Sequence, residues 1–362
     1  MDRISYSVRI FNKEQLENKF SSYVLGADVG GTNTNIAIAG IKNSKPSLLF
    51  SLDFKTQELE SMIPPIKKTL AYAQEKYKIK VGLACFGVAG TVTSKNSIEL
   101  TNVNFNINRD ELIKKTPLET ISIINDFQAL GYGLNLLDTK NKKDIFEVRN
   151  GNSQMPPLFS TKALLGAGTG LGKSILIYNK NLDIYVPFPS EGGHGDFPPQ
   201  NDFEMQLVQF IKRFRAISQP LTYEELLSGR GIENIYLFLK NSKRFEATDY
   251  TKEINEVAEK VSLISKYKEL DETCKEVFRL FTKFYARCAK NFVLDTMAIG
   301  GLYIAGGIAS KNKEIFKSKE FFEEFENAYR RGEVLKEIPV YIIINYDVSL
   351  IGACLAAMYH IN

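Results

Sequence analysis

A chain of 362 residues, with 44% hydrophobic and 24% charged side chains, has an ordinary globular composition and is long enough for two domains. Its 46 lysines and arginines nearly balance its 42 aspartates and glutamates, and neither sign gathers in a long block, which argues against a nucleic-acid partner. The four cysteines are widely spaced, so neither a disulfide framework nor a thiolate zinc site is expected.

The sequence carries no targeting or membrane signal that we recognise. No run of about 18 apolar residues occurs, which argues against a membrane partner. The N-terminal segment MDRISYSVRIFNKEQLENKF is charged throughout and lacks the apolar core of a secretory signal, and the final YHIN is not a peroxisomal address. We therefore expect a cytoplasmic protein.

Strands alternate with helices along the chain, which is typical of layered α/β proteins. Residues 23–41, YVLGADVGGTNTNIAIAGI, predict a strand, a glycine turn and a second strand. Residues 80–90 and 121–126 predict short apolar strands that end in glycine or polar residues. The spacing of apolar residues predicts helices over 202–214 and 274–292, each with one face in the core.

Two glycine turns form a partial internal repeat. LGADVGGTNTNIAIA and LLGAGTGLGKSILIY each run from an apolar strand through a glycine-rich turn with threonine into another apolar strand. Glycine permits backbone conformations that let several N–H groups point at one anion, and the threonine hydroxyl adds a donor. Two such hairpins could hold one polyphosphate. The candidate phosphate-binding residues are Gly30, Gly31, Thr32, Asn33, Gly168 and Thr169.

A P-loop is the competing interpretation of the second turn, because AGTGLGKS (residues 167–174) fits a relaxed Walker A pattern. A P-loop must be followed by a helix whose N-terminus faces the phosphates. The next residues, ILIYNKNLDIYVPF, are β-branched and aromatic around an Asn-Lys-Asn turn and predict a hairpin, with Lys173 already in the outgoing strand. A Rossmann fingerprint also fails, because its third glycine would fall on Leu171 or Lys173.

Taken together, the motifs resemble those of the bacterial-type glucokinase family, whose members have the actin-like (ribonuclease H-like) ATPase fold. LGADVGGTNTNIAIA and GAGTGLG look like its two phosphate motifs, and GGLYIAGGIA (300–309) looks like its adenosine motif. INDFQALGYG, EGGHGDF and YEELLSGRG look like its sugar-side motifs. The resemblance runs in the family's order from about Tyr23 to the C-terminus. The related zinc-binding repressor and kinase family is less similar, because its cysteine cluster is missing.

The resemblance implies an α/β fold with two domains around a central cleft. Because the polar segment 137–162 separates the two halves, we place a small domain at residues 1–135, completed by a C-terminal helix over 347–362, and a large domain at 136–346. The implied activity is transfer of the γ-phosphoryl group of ATP to the 6-hydroxyl of glucose, with Mg²⁺ as cofactor. A kinase of another hexose and a non-catalytic sugar sensor are the alternatives. A homodimer is a further expectation.

Asp126 is the candidate general base. It follows the strand ISIIN, and ligands of open parallel sheets bind outside the carboxyl ends of strands. Phosphoryl transfer to an alcohol needs an acceptor for the hydroxyl proton, which a carboxylate supplies. The residues alone leave open whether Asp126 only caps a helix that begins at Phe127, and the resemblance favours the base. Asn125 offers a donor and an acceptor to a sugar hydroxyl, or is a buried turn amide.

The histidine-containing loop EGGHGDF carries two further candidates. The resemblance places Glu191 and His194 on sugar hydroxyls, with the glycines letting the loop approach the ring, while a histidine that only ties the loop is the alternative. Asn102 is another sugar-contact candidate. Its loop departs from the family pattern, because Val103 and Phe105 stand where family members often carry histidine and tryptophan.

Two adjacent glutamates in YEELLSGRG have separate expected roles. Thr222 and Glu225 have the spacing of a capping box, so Glu225 is expected at a helix start. Glu224 is then left to be the family's third sugar contact, or a solvated glutamate in the first helical turn.

The nucleotide side has candidates at both ends of the chain. Asp28 ends its strand beside the first glycine turn, where its carboxylate could bind Mg²⁺ directly or through water, or could only cap the turn. Gly306 and Gly307 could let the purine or ribose of ATP approach the backbone, or could serve the turn alone.

Overall fold

The structure is a computed structural model that describes residues 4–11, 13–17, 20–90, 97–99, 103, 105–151 and 159–359. Within these ranges the strands are β1 (Ser7–Ile10), β2 (Ser22–Val29), β3 (Asn33–Lys42), β4 (Lys45–Lys55), β5 (Leu83–Val88), β6 (Ser97–Glu99), β7 (Asn106–Asn108), β8 (Thr120–Asn125), β9 (Ile145–Arg149), β10 (Lys162–Ala167), β11 (Leu171–Asn179), β12 (Ile184–Ser190), β13 (Leu302–Ala305) and β14 (Val340–Ile343).

The α-helices of the same ranges are α1 (Ile63–Tyr77), α2 (Arg109–Lys115), α3 (Asp126–Gly133), α4 (Asp202–Phe214), α5 (Gly229–Asn241), α6 (Asp249–Glu256), α7 (Val261–Lys266), α8 (Glu272–Thr296), α9 (Gly307–Lys311), α10 (Lys319–Glu326), α11 (Gly332–Lys336) and α12 (Val348–Tyr359). Short 3₁₀ helices cover Glu14–Glu17, Thr56–Glu58, Leu134–Leu136, Gly192–His194, Tyr223–Glu225 and Lys313–Lys317. None of the helices described is long and apolar enough to cross a membrane.

The chain divides into two compact units. The first comprises Met1–Asp138, Asn179–Pro189 and Asn345–Asn362, and the second comprises Thr139–Tyr178 and Ser190–Ile344. The domain limits predicted from the sequence, 1–135 with 347–362 and 136–346, stay a prediction.

The first unit is built on a six-stranded sheet with the order β1-β4-β3-β2-β5-β8. Strands β2, β5 and β8 run parallel, and β3, β4 and β1 extend the sheet by antiparallel pairing. The β3–β4 hairpin turns through Asn43 and Ser44, whose φ angles of 51° and 57° suit the tight turn that matches strand twist. Because β2, β5 and β8 are parallel neighbours, their carboxyl ends lie at the same edge of the sheet.

Alternate residues of β2 face opposite layers of the first unit. Leu25 and Ala27 belong to a core cluster with residues of α1 and α2, whereas Val24 packs in a cluster with α12. Gly26 also faces α12, and a Cβ there would lie 2.5 Å from the Cys354 sulfur. Asp28, two residues further along the strand, therefore lies on the α12 side of the sheet.

The second unit has strands in the order β11-β10-β13-β14-β9, of which β10, β13 and β14 are parallel. The 25-residue helix α8 contributes fully buried aromatic side chains such as Phe281 and Phe284 to the large core of this unit. Helices α4 and α8 confirm the helices predicted over 202–214 and 274–292.

A buried ion network fixes the segment that follows the histidine loop. The fully buried Arg287 donates to Glu204 at 2.7 and 3.0 Å, to Glu324 at 2.8 Å and to the Pro198 carbonyl at 3.1 Å. Burial opposes the charge of Glu204, but hydrogen bonds from Arg287, the Gln200 backbone and Lys283 lower the pKa of Glu204 to about 2. A buried charge pair of this kind is costly to break from one side. The network therefore anchors residues 198–200 to α4 and α8.

Candidate functional site

One group of candidate residues lies at the carboxyl edge of the parallel strands in the first unit. In the strand register Asp28 pairs with Gly87, and Val88 pairs with Asn125, so β5 separates the ends of β2 and β8. Neighbouring strands lie about 4.8 Å apart, which places the ends of β2 and β8 on the order of 10 Å from each other. Asp28, Asn125 and Asp126 are thus brought to one sheet edge, where ligands of such sheets bind.

Asn125, rather than Asp126, is the N-cap of α3. The Oδ1 atom of Asn125 accepts from the Phe127 backbone N–H at 2.8 Å, and Gln128 completes a capping box with the Asn125 N–H. The Nδ2 atom of Asn125 donates to the Gly90 carbonyl at 3.2 Å. An amide nitrogen has two N–H donors, so this bond leaves one of them for a ligand. The hypothesis that Asp126 caps a helix starting at Phe127 is therefore wrong, because α3 begins at Asp126 itself.

Asp126 is half-buried in the first turn of α3. Its Oδ1 atom accepts from the Phe127 backbone N–H at 2.9 Å, which orients the carboxylate at the helix N-terminus. A carboxylate at this position is stabilised by the helix dipole. The arrangement can hold a charged proton acceptor at the strand edge.

Asp28 is held from the side of α12. Its Oδ2 atom accepts from the Ser349 hydroxyl at 2.7 Å, and the start of α12 is itself held by an Arg9–Asp347 hydrogen bond of 2.6 Å. Burial raises the pKa of the Asp28 carboxyl, the Ser349 hydrogen bond lowers it and the charge of Asp347 raises it, with a net upward shift. No sequence motif marks Arg9, Asp347 or Ser349, and only the structure brings them to Asp28.

The donor set at Asp28 suits a metal that arrives with phosphate ligands. Among the described residues no group of three or more histidine, cysteine, aspartate or glutamate side chains could hold a metal ion. Mg²⁺ is commonly bound through one or two carboxylates together with waters and substrate phosphates, rather than in an all-protein cage. A single carboxylate beside a glycine turn fits that mode of binding.

The first glycine turn is held by the 3₁₀ helix Thr56–Glu58, which follows β4. The Gly30 N–H donates to the Asn33 carbonyl at 3.0 Å and closes the turn. The Thr56 hydroxyl donates to the Gly30 carbonyl at 2.7 Å, and the Gln57 amide donates to the Gly31 carbonyl at 2.8 Å. The Thr56 N–H also donates to the Thr32 carbonyl at 2.9 Å, and Thr32 is exposed. The Oδ1 atom of Asn33 already accepts from Lys55 at 2.9 Å.

The second glycine turn joins β10 and β11 as an antiparallel hairpin, with Ala167 opposite Leu171. A strand follows the turn, so the hairpin prediction is confirmed and the P-loop interpretation is wrong. Lys173 lies opposite Leu165 and is buried, with its Nζ atom 5.4 Å from the ring centroid of Tyr223 and 5.2 Å from that of Phe292. Its ammonium therefore faces aromatic rings in the core.

Gly168 and Gly307 lie at the same edge of the second sheet. β10 ends at Ala167 and the parallel β13 ends at Ala305, next to it in the register. A Cβ on Gly168 or on Gly307 would meet no atom within 4 Å, so there is open space beside the Cα of each glycine. Gly306 differs, because its φ of 94° and a Cβ position 2.3 Å from the Ala167 carbonyl both require glycine.

The histidine loop forms a 3₁₀ turn over Gly192–His194. The His194 Nε2 and Glu191 Oε2 atoms are 3.8 Å apart, and the two side chains are 60% and 58% exposed, so both can reach a ligand from water. Gly193 is buried, and a Cβ there would lie 1.9 Å from the Leu171 carbonyl. The loop therefore needs glycine to rest against the start of β11.

Glu224 lies in a 3₁₀ helix, Tyr223–Glu225, where Thr222 makes no side-chain cap. The predicted capping box of Thr222 and Glu225 is therefore wrong, and Glu225 instead bonds Arg230 at 2.6 Å. Glu224 is not a solvated glutamate either, since its side chain is 19% exposed and its Oε2 atom accepts from the Leu171 N–H at 2.9 Å.

The structure thus gathers the predicted residues into two groups. Glu191, His194, Glu224 and the turn at Gly168 and Thr169 belong to the second unit, and the strand-edge group of Asp28, Asn125 and Asp126 belongs to the first. Asn102 lies outside the described residues.

Comparison with known proteins gives one consistent family. A family model described as Glucokinase matches residues 25–360. A glucokinase of Nostoc sp. is 35% identical to this chain over 351 residues, which cover 92% of this chain and 98% of the relative.

Solved structures of sugar kinases share the fold. A glucokinase from Balamuthia mandrillaris in complex with glucose has a TM-score of 0.77 at 20% identity and covers 93% of each chain. A ROK family glucokinase from Streptomyces griseus in complex with glucose and AMPPNP has a TM-score of 0.62 at 16% identity, covering 93% of this chain and 100% of that chain. The predicted α/β actin-like ATPase fold is confirmed.

Proposed function

Because this chain belongs to the glucokinase family, we propose that it transfers the γ-phosphoryl group of ATP to the 6-hydroxyl of glucose, with Asp126 as general base. The observation that carries the proposal is the placement of Asp126 at the carboxyl edge of β8, on the same sheet edge as Asp28 and the first glycine turn. Two solved structures with the same fold contain glucose, and one of them also contains AMPPNP, which supports the choice of substrates.

In phosphoryl transfer the protein positions the two substrates and stabilises the negative charge on the transferred phosphoryl group. Asp126 accepts the proton of the attacking hydroxyl, a role that geometry and charge allow at the N-terminus of α3. The glycine turns at Gly30–Asn33 and Gly168–Thr169 bind phosphate oxygens through the hydroxyls of Thr32 and Thr169 and through the backbone N–H groups that do not close the turns themselves. Mg²⁺, brought with ATP and bound by Asp28, would neutralise phosphate charge.

The sugar contacts we propose are on both groups of residues. Asn125 offers its remaining N–H, and Glu191 and His194 offer exposed polar atoms on a glycine-rich loop. Glu224 offers its second carboxylate oxygen, and Asn102 stays a prediction. Gly307 is the proposed point of approach for the adenosine of ATP. The predicted cytoplasmic location, homodimer and cleft between domains stay predictions.

A coupled assay of ADP release tests the function directly. Glucose, mannose, fructose, galactose and N-acetylated hexosamines are compared as acceptors with ATP as donor, because sugar epimers differ by one hydroxyl and pocket shape decides between them. ADP and polyphosphate are tested as donors by the formation of the sugar phosphate. Glucose with ATP is expected to give the highest kcat/KM. Turnover on another hexose alone would make the chain a different hexose kinase, and sugar binding without turnover would make it a sensor.

His194→Ala is expected to raise the KM for glucose about five-fold and to leave the KM for ATP unchanged. The side chain is 60% exposed, so the loss of one sugar hydrogen bond is expected to cost about 1 kcal/mol. Calorimetry of glucose binding checks the change, with the exposed Gln200→Ala of the same segment as control. Equal glucose affinity in wild type and His194→Ala would mean that the histidine only ties the loop.

A further inference from the structure

The second glycine turn rests on the segment that carries Glu224. The Gly168 N–H closes the turn on the Gly170 carbonyl at 2.8 Å. The Gly168 carbonyl accepts from the Gly229 N–H at 2.9 Å, and the Leu171 N–H donates to Glu224 Oε2 at 2.9 Å. Both ends of the turn are therefore held by residues 224–229.

The Glu224 carboxylate occupies the space that a side chain on Gly170 would take. A Cβ on Gly170 would lie 2.6 Å from Glu224 Oε2, closer than any ordinary contact. The backbone of Glu224 is itself fixed, because the Ser228 hydroxyl donates to the Glu224 carbonyl at 2.8 Å while Ser228 caps α5. The Arg230 guanidinium lies 3.7 Å from Oε1, on the other side of the carboxylate.

We propose that Glu224 is a positioning residue for the phosphate-binding turn as well as a sugar contact, so that one carboxylate links the sugar side of the site to the nucleotide side. The inference rests on the proposed function, in which the turn at Gly168 and Thr169 binds ATP phosphates. Oε2 accepts from the Leu171 N–H and so holds the turn, and Oε1, which lies 3.7 Å from Arg230, is the proposed sugar-contact atom.

The physical reason is the N–H of Leu171. Leu171 is buried, and a buried N–H that loses its acceptor must either stay unpaired or pull the turn out of place. A loosened turn must be ordered again when ATP binds, which weakens nucleotide binding even before any sugar is present. A residue that only contacts sugar has no such effect.

The test is the affinity for AMPPNP without sugar, measured by calorimetry on the full chain. Glu224→Ala is expected to weaken AMPPNP binding about 5- to 50-fold. Glu224→Gln keeps an acceptor oxygen for the Leu171 N–H and is expected to retain AMPPNP affinity within about two-fold, while its glucose affinity falls. His194→Ala is the matched control, because His194 is a proposed sugar contact without a bond to the turn, and its AMPPNP affinity should equal that of wild type.

Gly170→Ala gives a second, independent variant. Its methyl group would displace the Glu224 carboxylate, so AMPPNP affinity should fall as in Glu224→Ala. In the Gly170→Ala/Glu224→Ala double variant the loss of AMPPNP binding energy should be smaller than the sum of the two single losses, since both substitutions break the same contact. Should Glu224→Ala fail to fold, as seen by circular dichroism, Gly170→Ala and Glu224→Gln decide the matter.

Three results would contradict the inference, and they differ in what they say about the proposed function. Wild-type AMPPNP affinity in Glu224→Ala, with weaker glucose binding, would overturn the positioning role and leave the proposed function standing. A wild-type chain that binds no AMPPNP would overturn the proposed function, and this inference with it. Loss of affinity in Glu224→Gln as large as in Glu224→Ala would also count against the hydrogen bond to Leu171.

Discussion

Asp126→Ala is expected to lose between about 10²- and 10⁴-fold in kcat for glucose phosphorylation, which is the usual effect of removing a general base. The KM for glucose should change much less, because the carboxylate is needed mainly when the hydroxyl gives up its proton. Steady-state ADP release at saturating ATP and glucose measures the effect. Asp110→Ala removes an exposed carboxylate from the first turn of α2 in the same unit and is the control.

The fold is expected to survive this change. The cap of α3 is Asn125, so Asp126→Ala removes a favourable charge at the helix start, worth about 0.3 to 1 kcal/mol, and one acceptor of the Phe127 N–H, while Asn125 Oδ1 still accepts from that N–H. The melting temperature should therefore stay close to that of wild type, and circular dichroism should show the same helix content. A folded Asp126→Ala that turns over glucose at the wild-type rate would reduce Asp126 to a helix residue and remove the base from the mechanism.

The parts of the site that the sequence predicts are those whose chemistry is local. The turn after β10 could be assigned to a hairpin because ILIYNKNLDIYVPF is a strand sequence, and the structure places β11 there. Asp126 could be placed at a strand end because ISIIN is a short apolar run bounded by polar residues, and β8 ends at Asn125. In both cases the residues within a few positions decide the local structure.

The contacts that support the site are distant in sequence and could not be predicted in this way. Thr56 and Gln57 lie 26 positions from the glycines whose carbonyls they bind, and Ser349 lies 321 positions from Asp28. No periodicity or motif joins such pairs, because their approach depends on the strand order of the sheet and on how α12 packs against it. Sequence patterns indicate helices and strands, whereas tertiary packing determines which distant residues become hydrogen-bond partners.

The capping box at Thr222 shows how a local pattern can also mislead. The T-x-x-E spacing describes the first turn of an α-helix, whereas the chain makes a 3₁₀ turn there and begins α5 only after Ser228. Glu225 is drawn to Arg230, and Glu224 to the backbone of Leu171. These interactions with Arg230 and Leu171 outweigh the local cap.

Thr169→Val is expected to lower kcat/KM for ATP by roughly 10- to 150-fold, because a hydrogen bond to a charged group contributes about 1.5 to 3 kcal/mol. Thr169 is exposed at the tip of the turn between β10 and β11, next to Gly168, which has open space at its Cβ position. Valine keeps nearly the same volume and removes only the hydroxyl donor. Steady-state kinetics with ATP varied at saturating glucose measure the loss, and KM for glucose should change little.

Lys173→Met is the variant matched to Thr169→Val. Replacing a Walker A lysine and replacing a lysine in a hairpin strand have opposite expected effects on ATP binding. In a P-loop the lysine would bind the β- and γ-phosphates, and its loss would remove nearly all activity. Here the Lys173 ammonium faces the rings of Tyr223 and Phe292, and methionine keeps the unbranched apolar stem that fills this space. We expect the KM for ATP to stay within about two-fold of wild type. Lost nucleotide binding in a folded Lys173→Met, beside an unaffected Thr169→Val, would contradict the assignment of phosphate binding to the turn.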